Sequence, residues 1–221
     1  MYYSKHIKFL GVLLLCITLF VQAGCASQQT KESNITVKDY KFDDNEIAYF
    51  AAGCFWCVEA VFESVKGVSE AVSGYSGGKS ADPNYRTVSA GLTDHAEAVA
   101  VYYNPEVVDF ATLVKVFFGS QDPTTPNQQG PDRGKQYRSI AFYQNETEKE
   151  IIEDYIKELE EKKVFKNKIV TEVVPFDKFY EAEDYHQDYE KLHPNEPYVR
   201  AVSIPRLNKF KAKFPELLKE E

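Results

Sequence analysis

Residues 53–59 read Gly-Cys-Phe-Trp-Cys-Val-Glu, between a strand-like run over 46–52 and an apolar helical pattern at Val58, Val61, Phe62 and Val65. A strand that runs through Gly53 into a helix puts Cys54 at the helix start. There the unsatisfied backbone N–H groups and the positive end of the helix dipole favour an anion, so this thiol is expected to ionise more readily than a free one. Cys57 lies one turn further along the same side, within disulfide reach.

The alternation continues downstream. Residues 68–75 alternate as a strand and end in Ser76-Gly77-Gly78, a strand over 96–103 stops at Asn104-Pro105, and 107–118 reads as an amphipathic helix. Residues 120–136 form the longest loop, with three prolines and two glycines. Loops of that length in a compact domain are usually functional. A strand over 137–143, a strongly charged helix over 146–163 and a strand over 169–175 follow, with helices expected over 181–192 and 207–219. Strands alternating with helices, and two strands in succession, predict an α/β (α+β) two-layer sandwich, a mixed sheet with flanking helices.

The 221 residues suffice for one domain of ordinary size. Lys5, His6 and Lys8 precede an apolar run over 9–21, followed by Gln22-Ala23-Gly24-Cys25. A basic start, an apolar run short for a membrane span and a small-residue site read as an export signal over residues 1–24. Ala-Gly-Cys resembles the bacterial lipoprotein signal, in which Cys25 is lipidated, although Gln22 stands where leucine is usual. Cleavage after Ala23, giving a soluble secreted or periplasmic protein, is the alternative. Residues 25–45 are then a polar tether and 46–221 the folded domain, a monomer that meets the cell envelope through its lipid alone.

The net charge is −8, and the leader takes away two lysines and no acid. An acidic body without a Lys/Arg-rich run argues against nucleic acid as a partner. Of the four cysteines, Cys16 leaves with the leader and Cys25 carries the lipid, so Cys54 and Cys57 remain as the thiols. Two cysteines do not make the disulfide framework of a small secreted domain; they look catalytic.

The C-x-x-C pair has three readings. Half a zinc site needs further ligands, for which His95, His186 and His193 remain, the last two not at finger spacing. A thioredoxin-type dithiol fits the spacing and the helix start. The third reading uses the bulky Phe55 and Trp56: a nucleophilic thiolate beside an aromatic pocket for a small apolar group, with the second cysteine resolving the intermediate. Elsewhere, Thr93-Asp94-His95-Ala96-Glu97 puts a carboxyl group at a strand start, after a loop containing Asp82-Pro83-Asn84-Tyr85. Taken singly, Glu97 reads as a solvated strand-end acid, Tyr85 and Tyr137 are unremarkable, and the three histidines read as structural.

Together these segments resemble the type A peptide methionine sulfoxide reductases over roughly residues 47–190. The resemblance rests on Gly53-Cys54-Phe55-Trp56, on the residues around His95-Ala96-Glu97, and on Asp132-Arg133-Gly134-Lys135-Gln136-Tyr137-Arg138-Ser139. It extends through Ser73-Gly74-Tyr75, Asp122-Pro123-Thr124 and Ala182-Glu183-Asp184-Tyr185-His186-Gln187. Gln121 stands where the family usually has histidine and Asp94 where it often has glycine.

The resemblance implies a ferredoxin-like core and no bound metal or organic cofactor. It implies that Cys54 attacks the sulfoxide sulfur, that Glu97 protonates the oxygen with help from the Tyr85 and Tyr137 hydroxyls, and that Phe55 and Trp56 hold the S-methyl group. The substrate is the S-epimer, as free methionine sulfoxide or in oxidised proteins. No cysteine follows Cys57, so Cys57 is expected to resolve the Cys54 sulfenic acid as a disulfide, for reduction by thioredoxin or a thioredoxin-like dithiol. Asp132 and Arg133 are expected to orient the site, contact the reductant or cap the loop.

Overall fold

The computed structural model describes residues 45–220; the expected leader, Cys25 and nearly all of the tether lie outside the described residues. Strand β1 (Glu46–Ala52) leads through Gly53 into α1 (Phe55–Glu63), and β2 (Val68–Ser76) follows. The short α2 (Tyr85–Ser89) precedes β3 (Ala96–Tyr103) and α3 (Phe110–Gly119). The long loop holds a ribbon of β4 (Gln128–Gln129) and β5 (Asp132–Arg133), then a 3-10 turn over Lys135–Tyr137. Next come β6 (Ser139–Tyr143), α4 (Glu146–Glu161), β7 (Glu172–Pro175) and β8 (Tyr180–Glu181). The C-terminal part consists of a 3-10 turn (Asp184–His186), α5 (Tyr189–Leu192), a π-helical turn (Val199–Ser203) and α6 (Ile204–Lys213).

The main sheet has the order β7-β6-β1-β3-β2-β8. Its inner four strands, β6-β1-β3-β2, pair antiparallel, with α1 and α3 as the crossovers of two interleaved βαβ units. That is the ferredoxin-like arrangement, as expected. β7 extends the sheet parallel to β6, and β8 extends it antiparallel to β2.

Period-two alternation assigns the two faces. Ala48, Phe50 and Ala52 of β1 and Val99, Val101 and Tyr103 of β3 pack under the helices with Phe62, Leu113 and Phe117. On the other face Ala51, Ala98, Ile140 and Phe142 are covered by Tyr49, Phe176 and Phe179, with Tyr49 stacked on Phe176 at 3.7 Å. Among the described residues no helix is long and apolar enough to cross a membrane.

Where boundaries differ from expectation, local chemistry explains it. The third helix begins at Phe110 because the Asp109 carboxylate accepts the Thr112 N–H at 2.8 Å, as an N-cap does. The strand expected from residue 137 starts at Ser139, since Tyr137 closes the 3-10 turn after Gly134, whose φ is +131°. The last helix stops at Lys213: Phe214 precedes Pro215 and is driven out of helical geometry. Residues 181–192 do not form the single helix expected. The Gln187 amide exchanges two hydrogen bonds with the Ser73 backbone (2.9 and 3.1 Å) and donates to Ala182 O, and Asp188 sits at φ +54°. Side-chain ties to the edge of β2 replace the helical ladder there.

Candidate active site

The site begins at the β1–α1 junction. Gly53 has φ +83°, and a Cβ there would stand 2.5 Å from Gln129 Cβ, so only glycine permits this turn beneath the ribbon loop. Cys54 occupies the N-cap position of α1 and Cys57 lies in the first turn; both are free thiols and both are buried. Cys54, Phe55, Trp56, Tyr85, Glu97 and Tyr137 line one cavity of about 230 Å³, which Asp132 and Tyr198 complete. The sequence-predicted residues thus converge, except that Cys57 borders the neighbouring cavity and Arg133 is exposed on the ribbon, donating to Gln128 Oε1 at 3.0 Å; Cys25 lies outside the described residues.

Glu97 is the second residue of β3, and its parity with Val99 and Val101 points it toward the helix layer. It is 2% exposed, so the single-residue reading of a solvated acid is corrected by strand register. One carboxyl oxygen accepts the Phe55 backbone N–H at 3.0 Å, one of the donors left open at the start of α1. Burial pushes its pKa up to about 8, against the pull of that N–H, and the Asp132 carboxylate adds to the rise. At neutral pH Glu97 is therefore an acid with one oxygen occupied and the other free to carry the proton.

The phenols are placed by separate elements. Tyr85 starts α2, and its N–H donates to Glu183 Oε1 at 3.0 Å, while the Tyr75 hydroxyl donates to Glu183 Oε2 at 2.8 Å. Burial raises Tyr85 to about 12 and raises Tyr137 as well, so both hydroxyls remain donors. Phe55 and Tyr85 stack at 6.3 Å between ring centroids. The Trp56 indole lies flat on Tyr189 at 3.8 Å, and its N–H donates to His186 Nδ1 at 3.1 Å. That bond leaves neutral His186, its pKa lowered by burial, with its proton on Nε2. His186, read from sequence as structural, braces the pocket wall.

The thiols depart from expectation. Burial and the neighbouring Cys57 push Cys54 well above the usual thiol range, so it is not the readily ionised member. Cys57 is lowered to about 6: the Cys54 S–H bonds to it, burial opposes, and the Arg206 guanidinium reinforces. The pair shares a proton and titrates as a unit, and the nearby Arg206 guanidinium favours negative charge on the Cys57 side. Tyr198 stands 3.9 Å from Cys57 Sγ through its hydroxyl and donates to Asp132 at 2.6 Å. Tyr198 and Arg206 carry no local motif, and Glu183, although inside the matched Ala182–Gln187 segment, received no role from it; what these residues touch is visible only in three dimensions.

A dithiol at a helix start, facing an acid kept protonated by burial, defines a thiol-dependent oxidoreductase on a two-layer α/β frame. A model described as "Peptide methionine sulfoxide reductase" matches residues 46–218. The chain belongs to the peptide methionine sulfoxide reductase family. It is 50% identical over 171 residues to peptide methionine sulfoxide reductase MsrA of Sulfolobus acidocaldarius, covering 77% of this chain and 96% of the relative. Over 177 residues it is 47% identical to peptide methionine sulfoxide reductase MsrA 2 of Synechocystis, covering 80% and 83%. Its structure is similar to Mxr1 from Saccharomyces cerevisiae in reduced form, with a TM-score of 0.63 and 35% identity, over 69% of this chain and 87% of the other.

Proposed function

We propose that this protein reduces the S-epimer of methionine sulfoxide, free or in oxidised peptides and proteins, to methionine. The observation that carries the reading is Glu97, buried and protonated in the same cavity as Cys54. A sulfoxide sulfur is electrophilic, but its oxygen leaves only when protonated. Phe55 and Trp56 hold the S-methyl group, while Tyr85 and Tyr137 donate to the oxygen and fix its direction. Pinning methyl and oxygen at once admits one hand of the chiral sulfur.

Cys54 attacks the sulfur as its proton passes to Cys57, and Glu97 protonates the oxygen. The protonated oxygen then passes from the substrate sulfur to Cys54 Sγ as the new sulfur–sulfur bond breaks, so methionine leaves with the electron pair and Cys54 is left as a sulfenic acid. Cys57 then attacks Cys54 Sγ and expels water, forming a disulfide for thioredoxin or a thioredoxin-like dithiol to reduce. Neither metal nor organic cofactor takes part. The decisive experiment is incubation of the reduced protein with separated S and R epimers of a methionine-sulfoxide peptide. Conversion of the S form alone is expected; conversion of the R form alone, or of neither, overturns the reading.

The leader motif supports export with lipid on Cys25 and a position for the domain at the cell envelope. Mass spectrometry of the mature N-terminus tests this. An acylated Cys25 is expected, whereas an unmodified N-terminus after Ala23 means soluble secretion.

A further inference from the structure

Within this proposed reaction cycle, the two sulfurs of the disulfide are not equivalent targets for the reductant. Cys54 lines the substrate cavity. Cys57 is 1% exposed, turned inward toward Tyr198 and the C-terminal segment. On that side it shares the wall of a second cavity, about 380 Å³, with Arg206. The guanidinium is fixed by Nε to Ser120 O at 2.7 Å and Nη1 to Ala52 O at 3.0 Å, while Nη2 is buried without a hydrogen-bond partner. A fixed cation with an unspent donor favours negative charge on its side of the pair. In thiol–disulfide exchange the sulfur that better carries negative charge departs faster.

We propose that the reductant's thiolate enters through the emptied substrate cavity and attacks Cys54, with Cys57 as the departing thiolate. The attack forms a bond between the reductant's sulfur and Cys54 Sγ, breaks the Cys54–Cys57 bond and leaves the electron pair on Cys57. The reductant's second thiol, giving up its proton, attacks the reductant's first sulfur and releases Cys54, which takes up a proton. Two electrons pass from the reductant, which ends as a disulfide. Methionine must leave before this can begin, so substrate, product and reductant compete for one opening.

The test uses full-length protein oxidised chemically to the disulfide, so that its outcome is separable from sulfoxide turnover. It is mixed with a thioredoxin whose second active-site cysteine is replaced by serine, and the trapped mixed disulfide is mapped by peptide mass spectrometry. Capture on Cys54 is expected, on the order of tenfold over Cys57. Predominant capture on Cys57, through the Arg206 cavity, overturns the proposal. As a second readout, saturating N-acetylmethionine amide is expected to slow disulfide reduction by dithiothreitol severalfold; an unchanged rate overturns it equally.

Discussion

Glu97 is where chemistry depends most on a single proton. Glu97→Gln keeps a hydrogen-bond donor in place but cannot release a proton, and is expected to lower kcat by about 10²–10³-fold with little change in KM. Single-turnover methionine release measures it. The pH dependence follows from the same groups. Activity requires a deprotonated dithiol, available above about 6, and a protonated Glu97, available below about 8. A bell-shaped kcat/KM profile with limbs near those values is expected, and Glu97→Gln removes the upper limb. Cys54, Phe55 and Trp56 stood out in the sequence as a compact motif, whereas Tyr85, Glu97 and Tyr137 were picked out only through the family resemblance. The resting charge of the dithiol was not legible. It depends on burial and on Arg206, whose residue number lies far from the pair and whose spacing signals nothing.

At the scale of elements, α1 is clamped by the C-terminal segment through a buried carboxyl. Glu59 on α1 is 2% exposed; it accepts the Ser73 hydroxyl of β2 and the Asp188 N–H. Glu59→Ala leaves both donors buried and unpaired, at a cost of about 2–4 kcal/mol. The urea midpoint is expected to fall, and hydrogen exchange over residues 183–190 to accelerate. Because this segment carries His186 and Tyr189 against Trp56, KM should rise more than kcat falls. The β3 boundaries were readable to the residue, since an alternating run ending at Asn-Pro has one interpretation. The segment from 181 to 192 was not readable, because Gln187 replaces helical backbone bonds with amide bonds to a strand distant in sequence.

Over the whole molecule, the interleaved βαβ topology was legible as a class, from alternation, and as a strand order only through the family resemblance. Its dense helix-side core also shelters Glu59 and Glu97, and Glu63 is half-buried at its margin. Burial raises Glu59 to about 8, Glu63 to about 7 and Glu97 to about 8, from an ordinary value of 4.5. Between pH 4.5 and 8 the folded protein holds protons there that the unfolded chain releases. Their contribution is therefore fully present below 4.5 and is lost as pH rises through 7 to 8. Asp94, Asp109, Glu183 and Glu216 are shifted the other way and lose their contribution in acid. Thermal unfolding across pH is expected to show the highest Tm near pH 5, with a decline by pH 8.5.

The hydrogen bonds that finish the cavity join the first turn of α1, the end of β1 and the ribbon to residues far downstream: Trp56 to His186, Ala52 to Arg206 and Asp132 to Tyr198. A polypeptide is made from its N-terminus, so β1 to β7 can assemble while those partners are still unmade. The thiols then wait beside an unbraced indole, without their guanidinium, until the last stretch of synthesis delivers them. Catalytic competence arrives only once residues up to Arg206 have been made, and a product truncated before His186 can carry the intact cysteine motif yet remain inert.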